Sequence, residues 1–83
     1  MALLINPVMV GNRIQEVRTG KKLTQAELAK RAGCARKTII ALESGDNTST
    51  HTLIRVLTAL GMALDIQPLT LDLKFIESLV ESY

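Results

Sequence analysis

Up to Leu60, apolar positions recur at helical spacing in four stretches of the chain. Val10, Ile14 and Val17 are three to four residues apart, and Asn6-Pro7 ahead of them supply an N-cap and a first-position proline. A first helix is therefore predicted to about Thr19, stopping at Gly20. Thr24 and Glu27 have the spacing of a capping box. They open a short second helix, about Gln25 to Arg31, with Leu28, Ala29 and Ala32 on its inner face and Gly33 as its end. A third helix is predicted from Arg36 to Ser44, with Ile39 and Leu42 inward and Gly45 closing it. After the polar loop Asp46-Asn47-Thr48-Ser49, a fourth runs from Thr50 to Leu60. It buries Leu53, Val56, Leu57 and Leu60 before Gly61.

The period then changes. Met62, Leu64 and Ile66 alternate with Ala63, Asp65 and Gln67, which predicts a strand with one apolar face, ended by Pro68. From Leu71 the apolar residues Phe75, Ile76, Leu79, Val80 and Tyr83 return to helical spacing between Lys74, Glu77, Ser78 and Glu81. The chain thus divides into a body, residues 6–67, and an acidic amphipathic tail, residues 68–83. Neither contains a repeat or a low-complexity tract.

Composition sharpens this outline. Eighty-three residues suit one domain with a modest core, and that core must be aliphatic, because Phe75 and Tyr83 are the only aromatics. Cys34 is the sole cysteine, so no disulfide can form within the chain, and a reducing cytoplasm is the expected compartment. The apolar run Met1 to Ile5 is too short to span a bilayer and lacks the features of a secretion signal. Up to Leu60 there are nine Lys and Arg against four acids; from Gly61 onward, Lys74 alone faces Asp65, Asp72, Glu77 and Glu81. The part up to Leu60, near +5, suits a polyanion partner, although solvated surface would look the same; the part from Gly61 onward, near −3, requires another role. His51 and Cys34 stand alone, and no carboxylates cluster. An enzyme, a metal site and a cofactor are not expected.

The second and third helices are joined by the tight turn Gly33-Cys34-Ala35, which lets the later helix project into a groove. Thr24-Gln25-Ala26-Glu27-Leu28-Ala29, then Gly33, Thr38-Ile39 and Leu42-Glu43-Ser44-Gly45, resemble in register the phage-repressor and Cro type of helix-turn-helix, the XRE family, over about Val8 to Leu60. The resemblance implies an all-α fold: a lambda-repressor-like bundle of four to five helices, with a short C-terminal strand able to pair across a dimer. It also implies that the third helix reads DNA. Arg36 can fork onto the O6 and N7 of a guanine, and Lys37 can do likewise or hold a phosphate. Thr38, Ile40 and Ala41 complete that face. Ile40 departs from the usual polar residue and can pack on a thymine methyl or go unused. Ala35 replaces the usual capping Ser or Thr. Gln25 matches a phosphate-contacting position at the start of the second helix. Ser44, Asn47 and Thr48, in the loop Ser44 to Thr48, resemble a second phosphate anchor. Arg18 and Glu43 match positions that pair in related repressors.

One such domain makes few base contacts, so members of this family usually bind palindromic sites as two-fold dimers. A lone strand finds no partner in a helical chain; pairing with its copy would bury Met62, Leu64 and Ile66. The alternative is an extended tail folded back on the body. The segment Leu60 to Ile66, the Asn6-Pro7 start and the Asp46–Ser49 loop are similar to the HipB-type antitoxins. That resemblance implies an autorepressor that also binds a HipA-type kinase toxin. The tail from Leu69 is outside the pattern, and docking on a toxin, packing on the dimer or staying free all remain open for it. Two other readings are a stand-alone phage- or plasmid-type regulator and a pure protein-interaction subunit.

Overall fold

Four helices form where caps and apolar spacing place them: α1 (Pro7–Gly20), α2 (Gln25–Ala32), α3 (Arg36–Glu43) and α4 (Thr50–Ala59). The computed structural model describes residues 4–69 together with Glu77, Val80 and Glu81. The expected ends differ from the observed ones by a residue, as frayed termini do. The helix expected from Leu71 lies outside the described residues except at those three tail positions, which are helical.

Each helix start has a local cause. Asn6 accepts the Met9 N–H at 2.9 Å, and Ser49 accepts the Thr52 N–H at 3.0 Å. Both halves of the capping box on α2 are made: Glu27 N–H to the Thr24 hydroxyl and Thr24 N–H to the Glu27 carboxylate, each 3.0 Å. Hydrogen bonds from Thr24, backbone first and then side chain, hold the Glu27 carboxyl below its ordinary value; the charge of Arg31 adds to this. Ala35 begins α3 with no side-chain cap, as its residue type requires.

The core is aliphatic. Ile14, Leu28, Ile39, Val56 and Leu60 are fully buried, so every helix or its immediate end contributes. Ala29, Ala32, Leu42, Leu57 and Leu23 fill around them. The expected inward residues Val10, Val17 and Leu53 are only half-buried, and Cys34 packs beside the core in the same way. Each fully enclosed aliphatic side chain contributes about 1.5–3 kcal/mol by leaving water.

Gly11 sets how closely α1 and α3 approach. A Cβ there would lie 2.5 Å from the Leu42 carbonyl oxygen and 2.6 Å from that of Glu43. Only a residue without a side chain lets the end of α3 rest on α1.

The strand expected over Met62 to Gln67 is absent from this chain: residues 62–69 have no regular secondary structure. A strand needs a neighbour for its backbone groups, and four helices offer none. The Met62 N–H instead bonds to the Leu57 carbonyl, at 2.8 Å, and its side chain packs against the core. The following residues stay exposed, Leu64 at 53% and Ile66 at 98%.

Candidate nucleic-acid interface

The turn between α2 and α3 sets the geometry of the site. Gly33 adopts the left-handed region, φ 71°, while its own N–H and that of Cys34 bond to the carbonyls of Lys30 and Ala29. This ends α2 and opens α3 within three residues. Packing then decides which face of α3 is free. Ile39 and Leu42 are buried; Arg36, Lys37 and Ile40 are exposed; Thr38 and Ala41 are half-buried at the margin. The exposed strip thus carries two cations and one aliphatic side chain, with no acid among them. It can offer donors to guanine edges or phosphates and an apolar surface to a thymine methyl.

The loop after α3 is shaped by its own hydrogen bonds. Gly45 N–H reaches the Leu42 carbonyl, and Asp46 N–H the Ala41 carbonyl. Ser44 is exposed, but its hydroxyl is turned back to the Ile40 carbonyl at 2.9 Å. Asn47 is exposed and Thr48 half-buried. The structure thus places the expected anchor residues at the far end of the same helix, with the Ser44 hydroxyl already engaged.

A buried ion pair ties this helix to α1. Arg18 Nε lies 2.6 Å from Glu43 Oε2, and Arg18 Nη2 donates to Oε1 at 3.1 Å. Arg18 Nη1 donates to the Leu23 carbonyl at 2.8 Å. The hydrogen bonds to Glu43 raise the Arg18 pKa; its charge does the same and burial opposes it. Gln25 joins the network, its Nε2 donating to Glu43 Oε1 at 3.1 Å. A carboxylate only accepts, so the amide nitrogen faces Glu43 and the carbonyl oxygen faces away. Gln25, Thr24, Ala26, Arg18 and Arg36 line one open cleft between the start of α2 and the start of α3. Among the described residues, no buried side-chain nitrogen or oxygen lacks a partner.

The residues expected at a dimer seam gather elsewhere. Met62, Leu64 and Ile66 line a groove with Leu4, Ile5, Val10, Ile14 and Leu57. The groove uses α1 and α4 and nothing from α3, so the two surfaces do not compete.

Sequence reasoning missed three residues that shape the site. Gly11 sits mid-helix, where glycine is unfavourable, and that local penalty was a signal of close approach. Leu23, between Lys22 and Thr24, belongs to no periodic run, yet it is buried and its carbonyl holds Arg18. Arg55 donates to the Gly33 carbonyl at 3.2 Å, a tertiary contact without any sequence signature. Among the described residues, no group of three His, Cys, Asp or Glu could hold a metal ion, and no helix is long and apolar enough to cross a membrane.

Comparison with known proteins agrees with this geometry. The helix-turn-helix family profile matches residues 14–67. A HipB variant in complex with an O2 20mer is similar at 30% identity and TM-score 0.78, covering 84% of this chain and 99% of that one. HipB within a HipA-HipB-O2-O3 complex matches at 28% identity and TM-score 0.78, covering 84% of this chain and 100% of that chain. The restriction-modification controller protein C.AhdI of Aeromonas hydrophila matches at 36% identity and TM-score 0.63, covering 66% of this chain and 85% of that one. No curated protein matches significantly in sequence. On the family match over residues 14–67 and these similarities, the chain belongs to the helix-turn-helix family as a DNA-binding regulator of the XRE type.

Proposed function

We propose that this protein is a sequence-specific repressor that binds a palindromic operator as a homodimer and is the antitoxin of a HipA-kinase-type module whose operon it regulates. The observation that carries the reading is the unpaired basic strip Arg36-Lys37 on the free face of α3, in a fold shared with HipB over 84% of the chain. Arg36 and Lys37, with Thr38, Ile40 and Ala41 beside them, enter the major groove. Gln25 at one end and Ser44, Asn47 and Thr48 at the other meet the phosphate backbone. Gln25 meets it chiefly through the free N–H groups opening α2, since its amide nitrogen is held by Glu43.

Dimerisation uses the groove around Met62, Leu64 and Ile66. Ile66 at 98% exposure is an aliphatic side chain with nothing over it, and the neighbouring backbone has no ladder partner. Two copies meeting there pair those segments and set two α3 helices about one helical turn of DNA apart. The protein acts in the cytoplasm.

The toxin partner is supported by similarity to the HipB of a HipA-HipB-O2-O3 complex. A second reading, a stand-alone regulator, is favoured by the 36% identity to C.AhdI, a restriction-modification controller. Affinity capture of the tagged protein from its own cells separates them. Recovery of a HipA-like kinase, inactive while bound, supports the antitoxin. Recovery of promoter DNA with no kinase supports the stand-alone regulator.

A further inference from the structure

A second cationic surface lies away from the recognition helix. The end of α2 and the middle of α4 form an open cleft lined by Lys30, Arg31, Gly33, Ile54, Arg55 and Thr58, with no residue of α3. Its cations make no ion pair among the described residues, although Glu27 lies one turn from Arg31 and feels its charge. Arg55 is fixed across the cleft by its bond to the Gly33 carbonyl. Between the cations stands Ile54, an aliphatic side chain 47% exposed. A row of phosphates would neutralise the cations but leave Ile54 uncovered. The surface fits an acidic segment with an apolar residue at its centre.

The chain contains such a segment. Glu77, Val80 and Glu81 are helical and exposed, Val80 at 71%, and stand at the three- and four-residue spacing of side chains that share a helix face. The region from Gly61 onward has a net charge of −3, opposite to the body. We propose that the tail residues Glu77, Val80 and Glu81 dock in the α2–α4 cleft of a second copy of this chain, with Val80 on Ile54 and the two glutamates among Lys30, Arg31 and Arg55. A second copy is the occupant because, within the single chain, Val80 and Ile54 both remain exposed. Docking there covers two apolar residues and pairs charges around their rim, where exclusion of water strengthens them. It also places carboxylates next to the Gly33 turn, close to the start of α3, and so ties tail exchange to the DNA-binding face.

Disulfide trapping tests this on full-length protein. Ile54→Cys and Val80→Cys are introduced into separate chains, both also carrying Cys34→Ala, then mixed and oxidised. The expected result is an interchain disulfide between the two variants, forming at least tenfold faster than one between Val80→Cys and Thr19→Cys, an exposed site on α1. Glu77→Lys with Glu81→Lys should remove that excess, and Lys30→Glu with Arg55→Glu on the receiving chain should restore it. A rate no greater than the Thr19 control overturns the proposal. So does a fast disulfide indifferent to both charge reversals. A disulfide that forms only when both cysteines are in one chain shows the tail on its own body and likewise overturns docking in trans.

Discussion

Arg18 and Glu43 meet across the bundle with two hydrogen bonds, 2.6 and 3.1 Å, although 25 residues separate them in sequence. Both are almost fully buried, at 9% and 7% exposure. Taking two charges out of water is expensive, and their attraction offsets that only because the Leu23 carbonyl and the Gln25 amide satisfy what remains. The pair fixes the end of α3 relative to α1, and so the angle at which α3 stands.

Removing one partner should therefore be worse than removing both. Arg18→Met leaves Glu43 charged and buried and should destabilise by about 3–5 kcal/mol. Arg18→Met combined with Glu43→Leu should recover most of that. Urea denaturation of the two single variants and the double variant measures the difference. A double variant as unstable as the sum of the singles would show that the pair is not coupled.

Gly11→Ala should destabilise, despite the gain of about 1 kcal/mol that alanine brings to a helix interior. The atoms a Cβ would strike are backbone carbonyls, which cannot rotate away. Separating α1 from α3 costs about 1–3 kcal/mol as overpacking. Gly20→Ala is the contrast, since nothing lies within 4 Å of a Cβ there. Thermal melts should show Gly11→Ala falling and Gly20→Ala unchanged or raised.

Leu64→Asp should yield monomers in sedimentation while helix content by circular dichroism is retained. Leu64 is 53% exposed in the single chain, so the change leaves the core alone and burdens only a paired seam. A dimer that persists would place the seam elsewhere.

Lys37→Ala separates a phosphate contact from base reading. If Lys37 holds a phosphate, all duplexes weaken alike and the slope of log affinity against log salt falls by about one. A loss confined to one duplex sequence assigns Lys37 to a base instead.

The helices were legible because each begins and ends on a local signal: Asn6-Pro7, the Thr24–Glu27 box, Ser49 and the closing glycines act within a few residues. The burial of Ile39 and Leu42 followed from spacing; the exposure of Arg36, Lys37, Ile40 and Ala41 was implied by the family resemblance, and Ala41 is half-buried instead. Tertiary contacts were less visible. The donation of Gln25 to Glu43, the bond from Arg55 to Gly33 and the rest of α3 on Gly11 depend on how helices cross, which periodicity does not encode. The segment after Gly61 alternated as a strand does, but alternation reports a half-buried face and supplies no partner. In the single chain Met62 turned to its own core instead.

If the free face of α3 reads DNA, loss of the Arg36 side chain shows it. A duplex selected by the wild-type protein from a random pool, and a scrambled copy of it, are each titrated with wild type and Arg36→Ala over a range of salt. Complexes should weaken steeply with salt, and Arg36→Ala should lose about 1–3 kcal/mol on the selected duplex with little change on the scrambled one. No salt-sensitive complex, or an Arg36→Ala variant that discriminates as well as wild type, would contradict that role for α3.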